Sequence, residues 1–134
     1  MFKLQIKYLS FFFGIVSILS FFNILYSYYF NLYLNLDTYY LTLGTSFILF
    51  IVLFKFGKYD FKSNIFEKIL TIFLGYLLIP LVLSIPFYFS IYNLTFSNSF
   101  FEAISGFTST GFTVFDNIKL VDQSLIIWRS STQW

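Results

Sequence analysis

The chain contains no cysteine and no histidine, and only 10% of its residues carry charge. Without the first two residue types it has no thiol chemistry, no imidazole proton relay and few ways to hold zinc. The net charge is only +2 and no run of Lys or Arg occurs, which argues against a nucleic-acid partner. No cofactor is predicted from this composition.

Apolar residues dominate what is present. Hydrophobic residues make up 58% of the 134 residues, and aromatic residues make up 26%. A soluble domain of this size cannot bury so much apolar side chain, because small folds have a large surface for their volume. The sequence therefore predicts an all-α integral membrane protein. The many Phe residues are better explained by lipid contact and core packing than by a cofactor site.

Three apolar segments are long enough to cross a bilayer. Residues 9–30 give about 22 residues, or roughly 33 Å of helix, against a hydrocarbon core of about 30 Å. A cleaved signal peptide is the alternative, but the apolar run is too long and lacks a small-residue cleavage site. The second span covers residues 39–56. The third follows residue 68, and Pro80 and Pro86 predict a bend in its outer half.

Positive charge is concentrated at one end of these spans. The positive-inside rule makes that end cytoplasmic, so the amino terminus lies inside and the third span ends outside. We predict an amino-terminal helix pair in residues 1–62 and a pore unit in residues 63–134. Six of the eight Lys and Arg lie at the cytoplasmic end: Lys3, Lys7, Lys55, Lys58, Lys62 and Lys68.

Residues 98–113 are typical of a re-entrant pore loop. Ser99 and Glu102 have the spacing of a capping box, and Gly106 marks the end of a short helix. Residues 99–107 give roughly 13 Å of helix, which reaches about halfway into a membrane. Non-helical backbone at that depth must line a wet cavity or pack inside protein.

The loop after this helix contains Thr108, Ser109, Thr110 and Gly111. Carbonyl oxygens around a glycine can replace the hydration shell of a cation, and the negative end of the short helix favours positive charge there. Oxygen ligands of this kind suit an alkali ion better than a transition metal. The alternative is that these four residues form an ordinary external turn.

Two charged residues near the loop have more than one interpretation. Glu102 is expected to cap the amides at the start of the short helix, or to act as a charge at the pore mouth together with Asp116 and Asp122. Arg129 is expected to anchor the last segment at the interface or to pair with a carboxylate of the pore unit.

Three segments resemble the first pore unit of Trk-type potassium transporter membrane subunits, of the Trk/Ktr/HKT superfamily. They are residues 85–87 (IPF), 99–113 (SFFEAISGFTSTGFT) and 127–134 (IWRSSTQW). The two preceding helices resemble the extra amino-terminal pair of the Trk branch. The resemblance implies four helix–loop–helix units around a potassium pathway, with the filter at residues 108–111 and potassium held through Ser109 and Thr110. Ser109 stands where the family often has threonine.

The resemblance also implies a setting and partners. It places the chain in a bacterial plasma (inner) membrane, in contact with lipid, as a homodimer bound to a cytoplasmic nucleotide-binding regulatory subunit. Potassium is then the substrate. Residues 123–134 give only roughly 18 Å of helix, so we expect an amino-terminal fragment or a truncated product.

Other functions remain open at this point. One is a single-loop cation channel subunit that forms tetramers, and another is a truncated membrane protein that does not conduct. A membrane-embedded enzyme would need a nucleophile, a carboxylate pair or a metal site at membrane depth. The three spans contain no charged residue in their apolar parts, which argues against it.

Overall fold

The computed structural model describes residues 6–57 and 64–133. Of these residues 75% are helical, and none of them forms a strand. The helices are α1 (Ile6–Tyr29), α2 (Leu36–Phe56), α3 (Ile65–Leu83), α4 (Ile85–Tyr88), α5 (Phe96–Phe107) and α6 (Gln123–Ser131), with a 3-10 turn at Ile118–Leu120.

Three helical stretches are long and apolar enough to cross a membrane, as the sequence predicted. They are α1, α2 and the combined stretch of α3 and α4, Ile65–Tyr88. The all-α fold class is therefore confirmed. Several predicted features lie outside the described residues, namely Lys3, the loop cations Lys58 and Lys62, and the boundary between residues 62 and 63.

The long helices turn small polar residues inward and large apolar residues outward. On α1 the buried Ser20, Asn23 and Ser27 recur at spacings of three and four, which places them on one face. Ile18 and Phe22 on the other side are 56% and 61% exposed. Small polar residues allow helices to approach closely, and lipid can cover the apolar surface.

The third span is interrupted in its outer half, between its two prolines. Pro86 has no N–H to donate to the carbonyl one turn before it, which weakens the helix at this point. Ser84 ends α3, with its N–H donating to the Pro80 carbonyl at 2.9 Å, and α4 begins at the next residue.

Trp128 anchors α6 to the long helices. Its side chain is fully buried, and its indole Nε1 donates to the Leu83 carbonyl oxygen at 3.1 Å. The Tyr39 ring of α2 lies 6.1 Å from it, centroid to centroid. Because α6 is fixed between α2 and α3, the residues on its next turn are held close to α5.

Candidate functional site

The short helix α5 begins earlier than predicted, and its N-cap is Thr95. The Thr95 side chain accepts a hydrogen bond from the Asn98 N–H at 3.3 Å, and its backbone is extended. Ser99 lies inside the helix, where its hydroxyl donates to the Thr95 carbonyl at 3.0 Å. The predicted cap at Ser99 is therefore wrong, because a threonine one turn earlier already caps this helix.

Glu102 is neither a helix cap nor a charge at the mouth. Its side chain is fully buried, and it faces the chain that follows the loop. Oε1 accepts from the Thr113 hydroxyl at 2.6 Å and from the Val114 N–H at 2.5 Å, while Oε2 accepts from Arg129 Nε at 2.7 Å. Both interpretations of Glu102 are wrong, and pairing of Arg129 with a pore-unit carboxylate is confirmed.

Arg129 also contacts the loop directly. Its Nη2 donates to the Phe112 carbonyl at 2.6 Å and to the Gly111 carbonyl at 3.3 Å. The Ser105 hydroxyl of α5 donates to the same Phe112 oxygen at 2.6 Å. The end of the loop is thus fixed from two helices, with one arginine joining a buried carboxylate to two backbone carbonyls.

The start of the loop is fixed by a Schellman motif at the end of α5. The Thr110 N–H donates to the Ser105 carbonyl at 3.0 Å, and the Ser109 N–H donates to the Gly106 carbonyl at 2.9 Å. Ser109 occupies the left-handed position of this motif, with φ of 55°. Glycine is usual there, so a serine in this position is held by the surrounding bonds.

The structure brings the four predicted filter residues together as one exposed loop. The hydroxyls of Thr108 and Thr110 lie 2.7 Å apart. The carbonyl oxygens of Thr108, Ser109 and Thr110 accept no hydrogen bond from the described part of the chain, whereas the Gly111 oxygen is taken by Arg129. Three successive oxygens are thus available for a ligand that accepts electron pairs, such as a cation or a hydrogen-bond donor.

Asp122 is not a charge at the mouth either. It is only 9% exposed, and Oδ2 accepts from the Asn35 side-chain amide at 3.0 Å and from the Ser124 hydroxyl. The Asn35 oxygen in turn accepts from the Ile91 N–H at 3.3 Å. Asp122 therefore joins α6 to the α1–α2 turn. Asp116 and Asp122 were both predicted to act with Glu102 as charges at the pore mouth, and of these two only Asp116 is exposed.

Ser105 and Thr113 also hold the loop, and neither was predicted from the sequence. Ser105 lies three residues after Glu102, on the buried face of α5, so helical periodicity could have indicated it. No local signal indicates Thr113, because its partner lies eleven residues away in another element.

The described residues thus form a multi-pass membrane protein. Beside its three spans lie the short helix α5 and the loop of residues 108–111, which side chains of α5 and α6 hold in place. The chain is similar to a protein of Methanocaldococcus jannaschii named as an uncharacterized cation transporter, with 33% identity over 61 residues. The matched part is 46% of this chain and 13% of that relative, so this chain spans a small part of its length. No protein-family model and no solved structure matches the chain.

Proposed function

We propose that this chain takes part in moving a monovalent cation, potassium, across a membrane, with residues 108–111 as its ion-binding segment. The observation that carries the proposal is the row of carbonyl oxygens at Thr108, Ser109 and Thr110, which accept no hydrogen bond from the described residues. Carbonyls in succession can replace water around an alkali ion. The negative end of α5 adjoins them and favours positive charge.

Similarity to a protein named as a cation transporter supports a role in cation transport. The choice of potassium comes from the resemblance of the loop and of the last segment to Trk-type subunits. In this proposal residues 63–134 supply the first of four pore units, and residues 1–62 supply an additional helix pair. Potassium is the substrate, bound through the carbonyl oxygens of Ser109 and Thr110.

The proposed setting is a bacterial plasma membrane with the amino terminus in the cytoplasm. Lys7 at the start of α1, Lys55 at the end of α2 and Lys68 at the start of α3 lie on the same side of the three spans, which supports this orientation under the positive-inside rule. The proposed partners are a second copy of the chain and a cytoplasmic nucleotide-binding regulatory subunit.

Gly111→Ser tests the ion-binding segment. Gly111 has φ of 84°, and a Cβ built there meets nothing within 4 Å. The cost of a side chain is therefore conformational, about 1–2 kcal/mol for a residue with a Cβ in the left-handed region, and the loop can relieve it by rotating its peptide groups. We expect selectivity for potassium over sodium to fall by roughly tenfold, measured by ion competition against rubidium uptake in the full-length protein.

Gly44→Ser is the matched control. Gly44 lies on α2, and a Cβ there also meets nothing within 4 Å, but its φ is not positive. Uptake and selectivity should stay unchanged in this variant. Unaltered ion competition in Gly111→Ser would contradict the proposed filter. Cross-linking that captures tetramers instead of dimers would favour a single-loop channel subunit.

A further inference from the structure

An apolar cleft separates α1 from α3 and ends at the last residue of the short helix α5. It is lined by Leu9 and Phe12 of α1, by Gly75 and Ile79 of α3, and by Phe107. Its volume is about 120 Å³. An apolar cavity of roughly 150 Å³ admits benzene, so this cleft has the size and chemistry for part of a hydrocarbon chain.

The cleft opens into a wider depression near the first turns of α1 and α3. Tyr8, Thr71 and Ile72 line both spaces, which makes them continuous. The depression has a volume of about 350 Å³, and Lys68 completes its lining. Lys68 is exposed, and none of the described residues that line the depression is acidic. An apolar slot therefore ends at a cationic mouth.

We propose that this cleft binds one anionic phospholipid, with an acyl chain between α1 and α3 and its phosphate beside Lys68. The charges are complementary, because an ammonium group is a compact hydrogen-bond donor for phosphate. Lys68 also lies at the end predicted to be cytoplasmic, where anionic lipids attract basic residues. Lipid binding at this place requires only the cleft and its mouth, and it does not require the proposed transport function.

Gly75 keeps the cleft open. A Cβ at Gly75 would lie 3.5 Å from Leu9 Cδ1 and 3.8 Å from Ile79 Cδ1, which is ordinary contact. A longer side chain would extend across the space between these two residues. The deep end of the cleft is Phe107, which directly precedes Thr108. A bound acyl chain would therefore pack against the end of α5 and support the residue from which the loop begins.

Native mass spectrometry of the full-length protein tests the proposal, with phosphatidylglycerol and phosphatidylcholine of identical acyl chains. We expect phosphatidylglycerol to bind more tightly. Lys68→Gln should weaken phosphatidylglycerol binding about fivefold, the effect of one basic residue at an anionic surface, and leave phosphatidylcholine binding unchanged. Lys55→Gln is the matched control, because Lys55 is exposed at the same end of α2 and does not line the depression.

Gly75→Leu tests the acyl-chain site and should reduce binding of both lipids, while Gly44→Leu on α2 should not. Where Gly75→Leu fails to fold, a phosphatidylglycerol with a photoactivatable acyl chain gives a separate measurement on the unmodified protein, and cross-links should map to peptides containing Phe12 and Phe107. Equal binding of the two lipids with no effect of Lys68→Gln would overturn the proposal. The proposal would also be overturned if inorganic phosphate competed with phosphatidylglycerol for binding and no cross-link formed in the cleft. That result would show a site for a free anion.

Discussion

The ion pair between Glu102 and Arg129 connects α5, α6 and the loop through two side chains. The Glu102 side chain is 0% exposed and that of Arg129 is 18% exposed, so either charge left alone would be largely buried. Removing one partner of a buried pair costs roughly 3–5 kcal/mol, while removing both charges costs much less. Glu102→Gln and Arg129→Gln should each lower the unfolding temperature and reduce rubidium uptake, measured on purified protein and in vesicles.

The double variant distinguishes a specific pair from two separate stabilising residues. Glu102→Gln combined with Arg129→Gln should be more stable than the sum of the single effects predicts, because no buried charge is left without a partner. Uptake should stay low in the double variant, since the Phe112 carbonyl loses the guanidinium that holds it. Strictly additive losses of stability would show that the two residues act independently.

The same residues show where local sequence patterns stop being informative. Ser99 and Glu102 have capping-box spacing, which favours Ser99 as the cap, but Thr95 one turn earlier caps the helix instead. The role of Glu102 depends on Arg129, which lies 27 positions away. A cation in an apolar segment needs an anionic partner, so the sequence predicts that Arg129 pairs with a carboxylate. Which carboxylate it pairs with depends on how α6 packs against α5, and this is visible only in the structure.

At the scale of elements, the contact between α5 and α6 depends on the absence of a side chain at Gly106. A Cβ there would come too close to the Thr132 hydroxyl group, whose O–H donates to the Arg129 carbonyl at 2.7 Å. Alanine in place of glycine inside a helix is normally stabilising by about 1 kcal/mol. We expect the opposite sign here: Gly106→Ala should lower the unfolding temperature, because the Thr132 side chain must shift and give up its hydrogen bond to the Arg129 carbonyl.

Thr132→Ala provides the matched test of that sign. With the hydroxyl removed, Gly106→Ala should no longer clash, and the double variant should unfold at a higher temperature than Gly106→Ala alone. A double variant no more stable than the single one would mean that Thr132 is not the obstacle.

The sequence predicted the presence of the helices more accurately than the residues at which they begin and end. Length and apolarity indicated the spans, and the prolines indicated where the third one is interrupted, because both signals are local. The start of α2 at Leu36 lies three residues before the predicted span, since hydropathy marks the apolar part of a helix and not its hydrogen-bonded ends. The Schellman motif at Ser109 was missed, because serine is an uncommon residue in its left-handed position.

For the whole molecule, Asp122 is one of the residues that join the α1–α2 turn to α6. It accepts from Asn35, which is 2% exposed, and its own N–H donates to the Tyr92 hydroxyl at 2.6 Å. Asp122→Ala should destabilise the protein by about 1–3 kcal/mol, because the Asn35 amide is left buried without its acceptor. Asp116→Ala is the control, since Asp116 is exposed on the preceding loop. Equal unfolding temperatures for the two variants would contradict this role.

The orientation in the membrane can be tested cleanly because the chain contains no cysteine. Leu34, in the α1–α2 turn, is 66% exposed, and Ile65, at the start of α3, is 68% exposed, so either position can carry a reactive thiol. Because α1 and α3 begin at the Lys68 end and α2 ends there, these two positions lie on opposite sides of the membrane. A membrane-impermeant maleimide added to intact cells should label Leu34→Cys and spare Ile65→Cys, and permeabilised cells should label both. Labelling of Ile65→Cys alone in intact cells would reverse the orientation, and the loop at residues 108–111 would then have to be reached from the cytoplasm.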